Sequence, residues 1–118
     1  MKKILLVTED AVEALADYYA VVAGLKGFDL EVAKKVSEGH AIVLDSEAPY
    51  LVIVDMELGQ EATGFIAWLW QDMGLEVPVI ALTKKGGLRP PESLKTTVMD
   101  KLHTVRDMER TITQLLNL

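Results

Sequence analysis

The feature that most constrains the fold of this chain is a regular alternation of short apolar runs with segments of helical periodicity. The five runs cover residues 4–7, 28–32, 50–54, 77–82 and 96–99. A short, continuous apolar run is typical of a parallel strand that helices cover on both faces. The run at 28–32 instead alternates apolar and polar residues, which indicates a strand with one wetter face at the edge of a sheet.

Helical segments lie between these runs. Their apolar spacing predicts helices over residues 11–26, 37–46 and 61–73, and a last helix that begins after residue 104. Asp10 and Ser37 can cap the first two helices by accepting backbone N–H bonds. Thr104 and Asp107 have the spacing of a capping box at the start of the last helix. Alternating strands and helices form βαβ units, so the chain should fold as a parallel sheet with helices on both faces.

The region between the fourth and fifth runs differs from the other connections. Gly86–Gly87 and Pro90–Pro91 interrupt regular structure there, because glycine permits positive φ and proline lacks a backbone donor. Only a short helical turn, at about residues 92–95, fits into the remaining length. We therefore predict that the fourth helix is shortened.

The composition limits the class of protein. The chain has 118 residues, of which 50% are hydrophobic and 25% are charged, and it has no cysteine. This length suits one domain over residues 1–118, and the apolar content excludes intrinsic disorder. Disulfide and thiol chemistry are excluded, and no apolar run approaches the ~18 residues that span a bilayer. The apolar run near the N-terminus is too short for a signal peptide, so we expect a cytoplasmic protein that does not act at a membrane.

The charge of the chain also bears on its partners. The formal net charge is −6, which disfavours direct binding of nucleic acid because such binding needs clustered Lys and Arg. Residues 1–77 contain 14 acidic and 5 basic residues, whereas residues 78–118 contain 4 and 7. This asymmetry can mark a surface for a protein partner, although a solvated surface of mixed charge would have the same composition.

Polar side chains follow four of the five runs, where parallel strands reach one edge of the sheet. They are Glu9 and Asp10 after the first run, Asp55 and Glu57 after the third, Thr83 and Lys84 after the fourth, and Asp100 and Lys101 after the fifth. Carboxylates that lie close together resist ionisation unless a cation offsets their charge, and oxygen ligands favour Mg²⁺. A carboxylate beside Mg²⁺, a lysine and a hydroxyl can accept a phosphoryl group, because the cations neutralise the phosphoryl oxygens.

Over its whole length the sequence resembles the receiver domains of bacterial two-component response regulators, the chemotaxis-receiver-like family. The residues that carry the resemblance are Lys3–Val7 followed by acids, Pro49–Asp55, Gly64–Phe65, Val77–Thr83 and Lys101. Asp55 precedes Thr83 by 28 residues, and Thr83 precedes Lys101 by 18. The resemblance implies an α/β fold, a flavodoxin-like three-layer sandwich whose doubly wound five-stranded parallel sheet has strand order 2-1-3-4-5.

The resemblance implies roles for the residues around the acceptor position. Asp55 matches the phosphoacceptor aspartate, Thr83 matches the switch hydroxyl, and Lys101 matches the lysine that pairs with the acceptor and then with its phosphate. Lys84 replaces a small residue of the family, where it is either a solvated lysine or a permanent cation at the phosphate position. Val98 stands where the family has an aromatic side chain that moves with the switch threonine.

The resemblance also implies a magnesium site. Glu9 matches the metal-ligating acid after the first strand, Asp55 shares the metal, and Glu57 matches the position that gives a backbone carbonyl. Thr8 occupies the place of the first acid of the usual pair, so Asp10 is an alternative ligand. Because Thr8 contributes no charge, we expect the Mg²⁺ site to be weak.

These roles imply a signalling receiver domain rather than an enzyme. It would accept a phosphoryl group on Asp55 from a histidine kinase or phosphotransfer protein and would change its binding to a downstream protein or output domain. A homodimer is a further option. The alternative is a pseudo-receiver that is not phosphorylated and acts as a protein-interaction module. A flavodoxin-like domain that binds a small molecule is a remote third reading, since the chain lacks a hydroxyl- and glycine-rich phosphate loop.

The remaining aromatic and apolar residues are assigned to the surface or the core. His40 and His103 lack ligand-spaced partners, so we expect surface residues and no zinc site. Trp68 points away from the apolar face of the third helix, where it would suit a protein interface. That apolar face consists of Ala62, Ile66, Leu69 and Met73. The apolar stripe of the last helix consists of Val105, Met108, Ile112 and Leu115.

Overall fold

The computed structural model describes residues 2–9, 19–20, 22–45, 47–90 and 96–117. At its centre is a five-stranded sheet in which all neighbouring strands pair in parallel. The strands are β1 (Lys3–Val7), β2 (Asp29–Ala33), β3 (Leu51–Asp55), β4 (Val79–Thr83) and β5 (Thr97–Asp100). Their order is β2-β1-β3-β4-β5, which confirms the strand order expected from the sequence and places the alternating run at an edge.

Helices lie in the first three connections between strands and after β5. Residues 19–20 and 22–25 are helical and are referred to as α1. The other helices are α2 (Val36–Asp45), α3 (Gln60–Ala67) and α4 (Val105–Leu115); a 3₁₀-helix, Met56–Leu58, precedes α3, and a π-helix, Trp68–Asp72, follows it. The beginning of the first predicted helix, with its cap Asp10, and the short helix predicted at 92–95 lie outside the described residues. Within the described ranges no helix is long and apolar enough to cross a membrane.

The pleat of the sheet divides the core into two layers, as a three-layer sandwich requires. Leu5 and Val54 belong to a buried cluster that includes residues of α2 and α3. Ile4 and Ile53 belong to a second buried cluster that includes residues of α1 and α4. Every residue of β3 and of β4 is buried, and β3 carries Asp55 at its carboxyl end.

The predicted caps are right for α4 and wrong for α2. The Thr104 hydroxyl accepts the backbone N–H of Asp107 at 3.1 Å, which confirms the cap of α4. Ser37 is not a cap, because α2 already begins at Val36. Val36 is buried in the core, and the Glu38 carboxylate accepts the backbone N–H of Lys34 at 2.9 Å. The helix therefore begins two residues earlier than a cap at Ser37 would place it, with the buried Val36 as its first residue.

The end of the third helical segment differs from the predicted helix in its geometry and in its packing. Met73 donates its backbone N–H to the Trp68 carbonyl at 2.9 Å, an i→i+5 bond that widens the turn and shifts the faces of the helix. Trp68 packs against the core and lies with its ring 4.2 Å from the His40 ring, whereas Met73 is exposed. The prediction of an outward-pointing Trp68 is therefore wrong, as are the predictions of a buried Met73 and a surface His40.

His103 is also half-buried rather than on the surface. Its Nδ1 contacts the Asp100 carbonyl at 2.9 Å, and since a carbonyl only accepts, Nδ1 is the donor. Its Nε2 lies 3.1 Å from the Tyr19 hydroxyl, so the ring ties the loop after β5 to α1. In α4, Met108 and Ile112 are buried as predicted. Val105 is 46% exposed, so its assignment to the core stripe is wrong, because this first helical residue lies outside the buried cluster.

Candidate functional site

Asp55 is a buried carboxylate at the carboxyl edge of the sheet. Its exposure is only 2%, and both of its oxygens have partners. The Thr8 hydroxyl donates to Oδ2 at 2.8 Å, the Glu57 backbone N–H donates to Oδ1 at 3.0 Å, and the Lys101 ammonium lies 2.9 Å from Oδ2. A buried charge is tolerated only when it is paired and hydrogen-bonded, and these three contacts meet that requirement.

The strand register brings these residues together. Val7 pairs with Val54 across β1 and β3, so Thr8 and Asp55 leave the sheet side by side. Thr83 pairs with Asp100 across β4 and β5, and the backbone N–H of the next residue, Lys101, donates to the Thr83 carbonyl at 2.8 Å. The ordered strand ends therefore place Asp55, Thr83 and Lys101 at one edge, as predicted from the sequence.

The Glu57 side chain contacts two lysines beside Asp55. One carboxylate oxygen, Oε1, lies 2.5 Å from the Lys84 ammonium, and Oε2 contacts the Lys101 ammonium, which also contacts Asp55. The hydrogen bonds from Lys101 and then Lys84 lower the pKa of Glu57 below its usual range, since both cations favour the charged carboxylate. The sequence analysis placed the Glu57 side chain at this edge and gave its backbone carbonyl a role toward the metal, but it did not predict that the carboxylate pairs with two lysines. The one available indication was the pair of lysines that follow neighbouring strands.

The pKa of Glu57 predicts how the stability of the fold depends on pH. Because this pKa is lowered in the folded protein, Glu57 stabilises the fold above its unfolded-state pKa, and the contribution disappears as the pH falls through the folded value. We expect Glu57→Gln to reduce the free energy of unfolding at pH 7 and to approach the parent protein in acid, as measured by urea denaturation at several pH values. The control is Glu61→Gln. Glu61 is an exposed acid that forms no ion pair with another described residue, so its replacement should leave the pH dependence of the parent protein unchanged. Parallel pH curves for the Glu57 variant and the parent would contradict the assignment.

Thr83 does not contact Asp55 through an identified hydrogen bond. Its side chain is 5% exposed, and its hydroxyl donates to the Met99 carbonyl of β5 at 3.4 Å. Val98, where the family has an aromatic, is 36% exposed. In this state the Thr83 hydroxyl is therefore engaged with the neighbouring strand.

The expected magnesium ligands are only partly assembled. Glu9 is exposed, Asp10 lies outside the described residues, and Asp55 and Glu57 are already paired with lysines. Among the residues that the structure describes, no group of three or more His, Cys, Asp or Glu side chains could hold a metal ion. Two carboxylates facing two ammonium groups leave little net negative charge for a divalent cation. The described donors therefore do not fit a tight Mg²⁺ site, and the weak site stays a prediction.

An open cavity of about 310 Å³ lies beside this cluster. It is lined by Met56, Glu57, Gly59, Lys84, Gly87 and Leu88. The cavity gives a small ligand access to the side of the cluster where Lys84 meets Glu57.

The fold is that of response-regulator receiver domains. The chemotaxis protein CheY4 of Vibrio cholerae matches with a TM-score of 0.79 and 17% identity over 98% of this chain and 99% of that chain. A response regulator receiver protein from Burkholderia phymatum matches with a TM-score of 0.80 and 18% identity over 100% and 97%. NtrX from Brucella abortus matches with a TM-score of 0.79 and 19% identity over 99% of this chain but only 26% of that chain.

The expected resemblance to receiver domains is therefore confirmed at the level of the fold. The sequence matches no protein-family model and no curated protein. The comparisons also find this fold both as nearly all of a chain and as a part of a longer one.

Proposed function

We propose that this chain is a signal receiver in which Asp55 accepts a phosphoryl group from a histidine kinase or phosphotransfer protein. Residues 1–118 would act as one domain, and a downstream protein or output domain would read the change. The observation that carries the proposal is the contact of 2.9 Å between the buried Asp55 carboxylate and the Lys101 ammonium. The receiver-domain fold supports it, because the same edge of such a sheet is where ligands bind in doubly wound α/β proteins.

The proposed chemistry is a direct displacement. An oxygen of Asp55 forms a bond to the phosphorus, the bond from phosphorus to the donor nitrogen or oxygen breaks, and the donor leaves with the electron pair. Lys101 neutralises the added charge, and the Glu57 backbone N–H holds the carboxylate in position. The sequence predicts a weak Mg²⁺ site here, and no step of the proposal depends on the metal because the described donors are paired with lysines.

The test is chemical phosphorylation followed by intact-protein mass spectrometry. The protein is incubated with acetyl phosphate, and we expect one phosphoryl adduct that Asp55→Asn abolishes, since an amide oxygen is a far weaker nucleophile than a carboxylate. Asp72→Asn, at an exposed position away from the cluster, is the matched control and should be labelled like the parent. Labelling that persists in Asp55→Asn would contradict the proposal.

A non-phosphorylated interaction module is the alternative function. It is favoured by the closed state of the cluster, in which the Glu57 carboxylate contacts both Lys84 and Lys101. The same experiment separates the two functions, because a chain that stays unlabelled with every donor, including a phosphorylated phosphotransfer protein, would be the interaction module.

A further inference from the structure

Lys84 is a charged residue of the site that has no role in the proposed phosphoryl transfer. It follows Thr83 at the end of β4, and its ammonium lies 2.5 Å from Glu57 Oε1. Its side chain is 66% exposed, whereas that of Lys101 is 13% exposed. Lys84 is thus held at the site by one carboxylate and can move, while Lys101 is fixed against Asp55.

The same residues account for the poor fit of the site to magnesium. A divalent cation needs carboxylate oxygens that are not already neutralised. The Thr8 hydroxyl donates to Asp55 Oδ2, and the Glu57 carboxylate contacts two lysines. The Lys101 ammonium already lies beside Asp55, and Lys84 brings a second ammonium to the adjacent Glu57 carboxylate, so two positive charges stand where a metal ion would bring its charge.

We propose that Lys84 takes over the charge-neutralising role of a divalent metal at this site, so that Asp55 accepts a phosphoryl group without Mg²⁺. This inference rests on the proposed phosphoacceptor function and deepens it. Lys84 lines the cavity beside the cluster, so its ammonium can turn from Glu57 toward the oxygens of an incoming phosphoryl group. Glu57 keeps Lys101 as its partner during this movement.

The reaction balances without a metal. With acetyl phosphate as donor, an Asp55 oxygen forms the bond to phosphorus, the bond from phosphorus to the acetate oxygen breaks, and acetate leaves with the electron pair. No proton, oxidant or reductant is consumed. Lys84 acts only by charge, and its conversion to a neutral side chain should slow the transfer without removing the nucleophile.

The first measurement compares labelling rates by acetyl phosphate in excess chelator and in excess Mg²⁺. The parent protein should be labelled at similar rates in both. Lys84→Met should be slower in chelator by about tenfold, less than the ~100-fold typical of a preorganised donor because Lys84 is exposed. Lys85→Met is the matched control, since Lys85 is the next lysine and has no ion pair among the described residues; it should behave like the parent. A parent protein that is labelled only with Mg²⁺ would overturn the inference.

The second measurement does not depend on phosphoryl transfer. Amide NMR shifts at residues 54–58 are followed during Mg²⁺ titrations of the parent and of Lys84→Met. Removal of the competing ammonium should strengthen binding by about fivefold, because one unit charge near an exposed carboxylate is screened by water. Equal affinities in the two proteins would overturn the inference. If neither protein is labelled under any condition, the proposed phosphoacceptor function fails, and the titration alone decides whether Lys84 occupies the place of the metal.

Discussion

Replacing Lys101 by methionine should lower the free energy of unfolding by about 3 kcal/mol, because it leaves the buried Asp55 carboxylate without its cation. The Lys101 side chain is 13% exposed and that of Asp55 is 2% exposed, so water replaces little of the lost interaction. The expected value is at the lower end for a broken buried pair, since the Thr8 hydroxyl and the Glu57 backbone N–H remain in contact with Asp55.

A double-mutant cycle tests the physical cause of this effect. Asp55→Asn in the Lys101→Met background removes the uncompensated charge and should recover most of the lost stability, as measured by urea denaturation at pH 7. The matched control is Lys26→Met, which breaks the ion pair of 3.3 Å with Glu109 on the surface and should cost less than about 1 kcal/mol. Equal losses in Lys101→Met and Lys26→Met would show that the pairing with Asp55 is not the cause.

Phosphorylation of Asp55 should change hydrogen exchange chiefly in residues 83–95 and very little in α4. Lys84 is exposed, and within the described part of the chain the Thr83 hydroxyl has one long hydrogen bond, to the Met99 carbonyl, so both side chains can form new contacts with a phosphoryl group. We expect exchange rates in this segment to change by about tenfold, a size typical of coupling between sites in proteins. Residues 91–95 lie outside the described part of the chain but are covered by the same peptides.

The expected silence of α4 has two structural reasons. A phosphoryl group shifts a conformational equilibrium only if it interacts differently with the two conformations. Val98 has no aromatic ring that could move together with the Thr83 hydroxyl, so one source of that difference is missing. Met108 and Ile112 anchor α4 in the buried cluster on one face of the sheet. Protection changes confined to Val105–Leu115, with residues 83–95 unchanged, would contradict this prediction. Asp55→Asn treated with the same phosphodonor is the control for effects of the reagent itself.

The strands and the residues at their ends could be predicted from the sequence because their determinants are local. The apolar runs follow from burial between two layers of helices, and Asp55, Thr83 and Lys101 each follow a run directly. Parallel strands carry their carboxyl ends to one edge, so placing the strands also placed these three side chains. The roles assigned to them by resemblance stay predictions until the labelling experiment is done.

What the sequence by itself determined is thus the strand order expected from the resemblance, the two-layered core and the position of Asp55. The tertiary structure decided the rest, because it depends on contacts between residues far apart in the chain. The Glu57 carboxylate meets Lys84 and Lys101 only when three strand ends are in register. Trp68 packs inward against the core and His40, although the helical spacing predicted that it points outward. The sequence predicts which side chains reach the edge of the sheet, but only the folded backbone determines which carboxylates pair with which lysines.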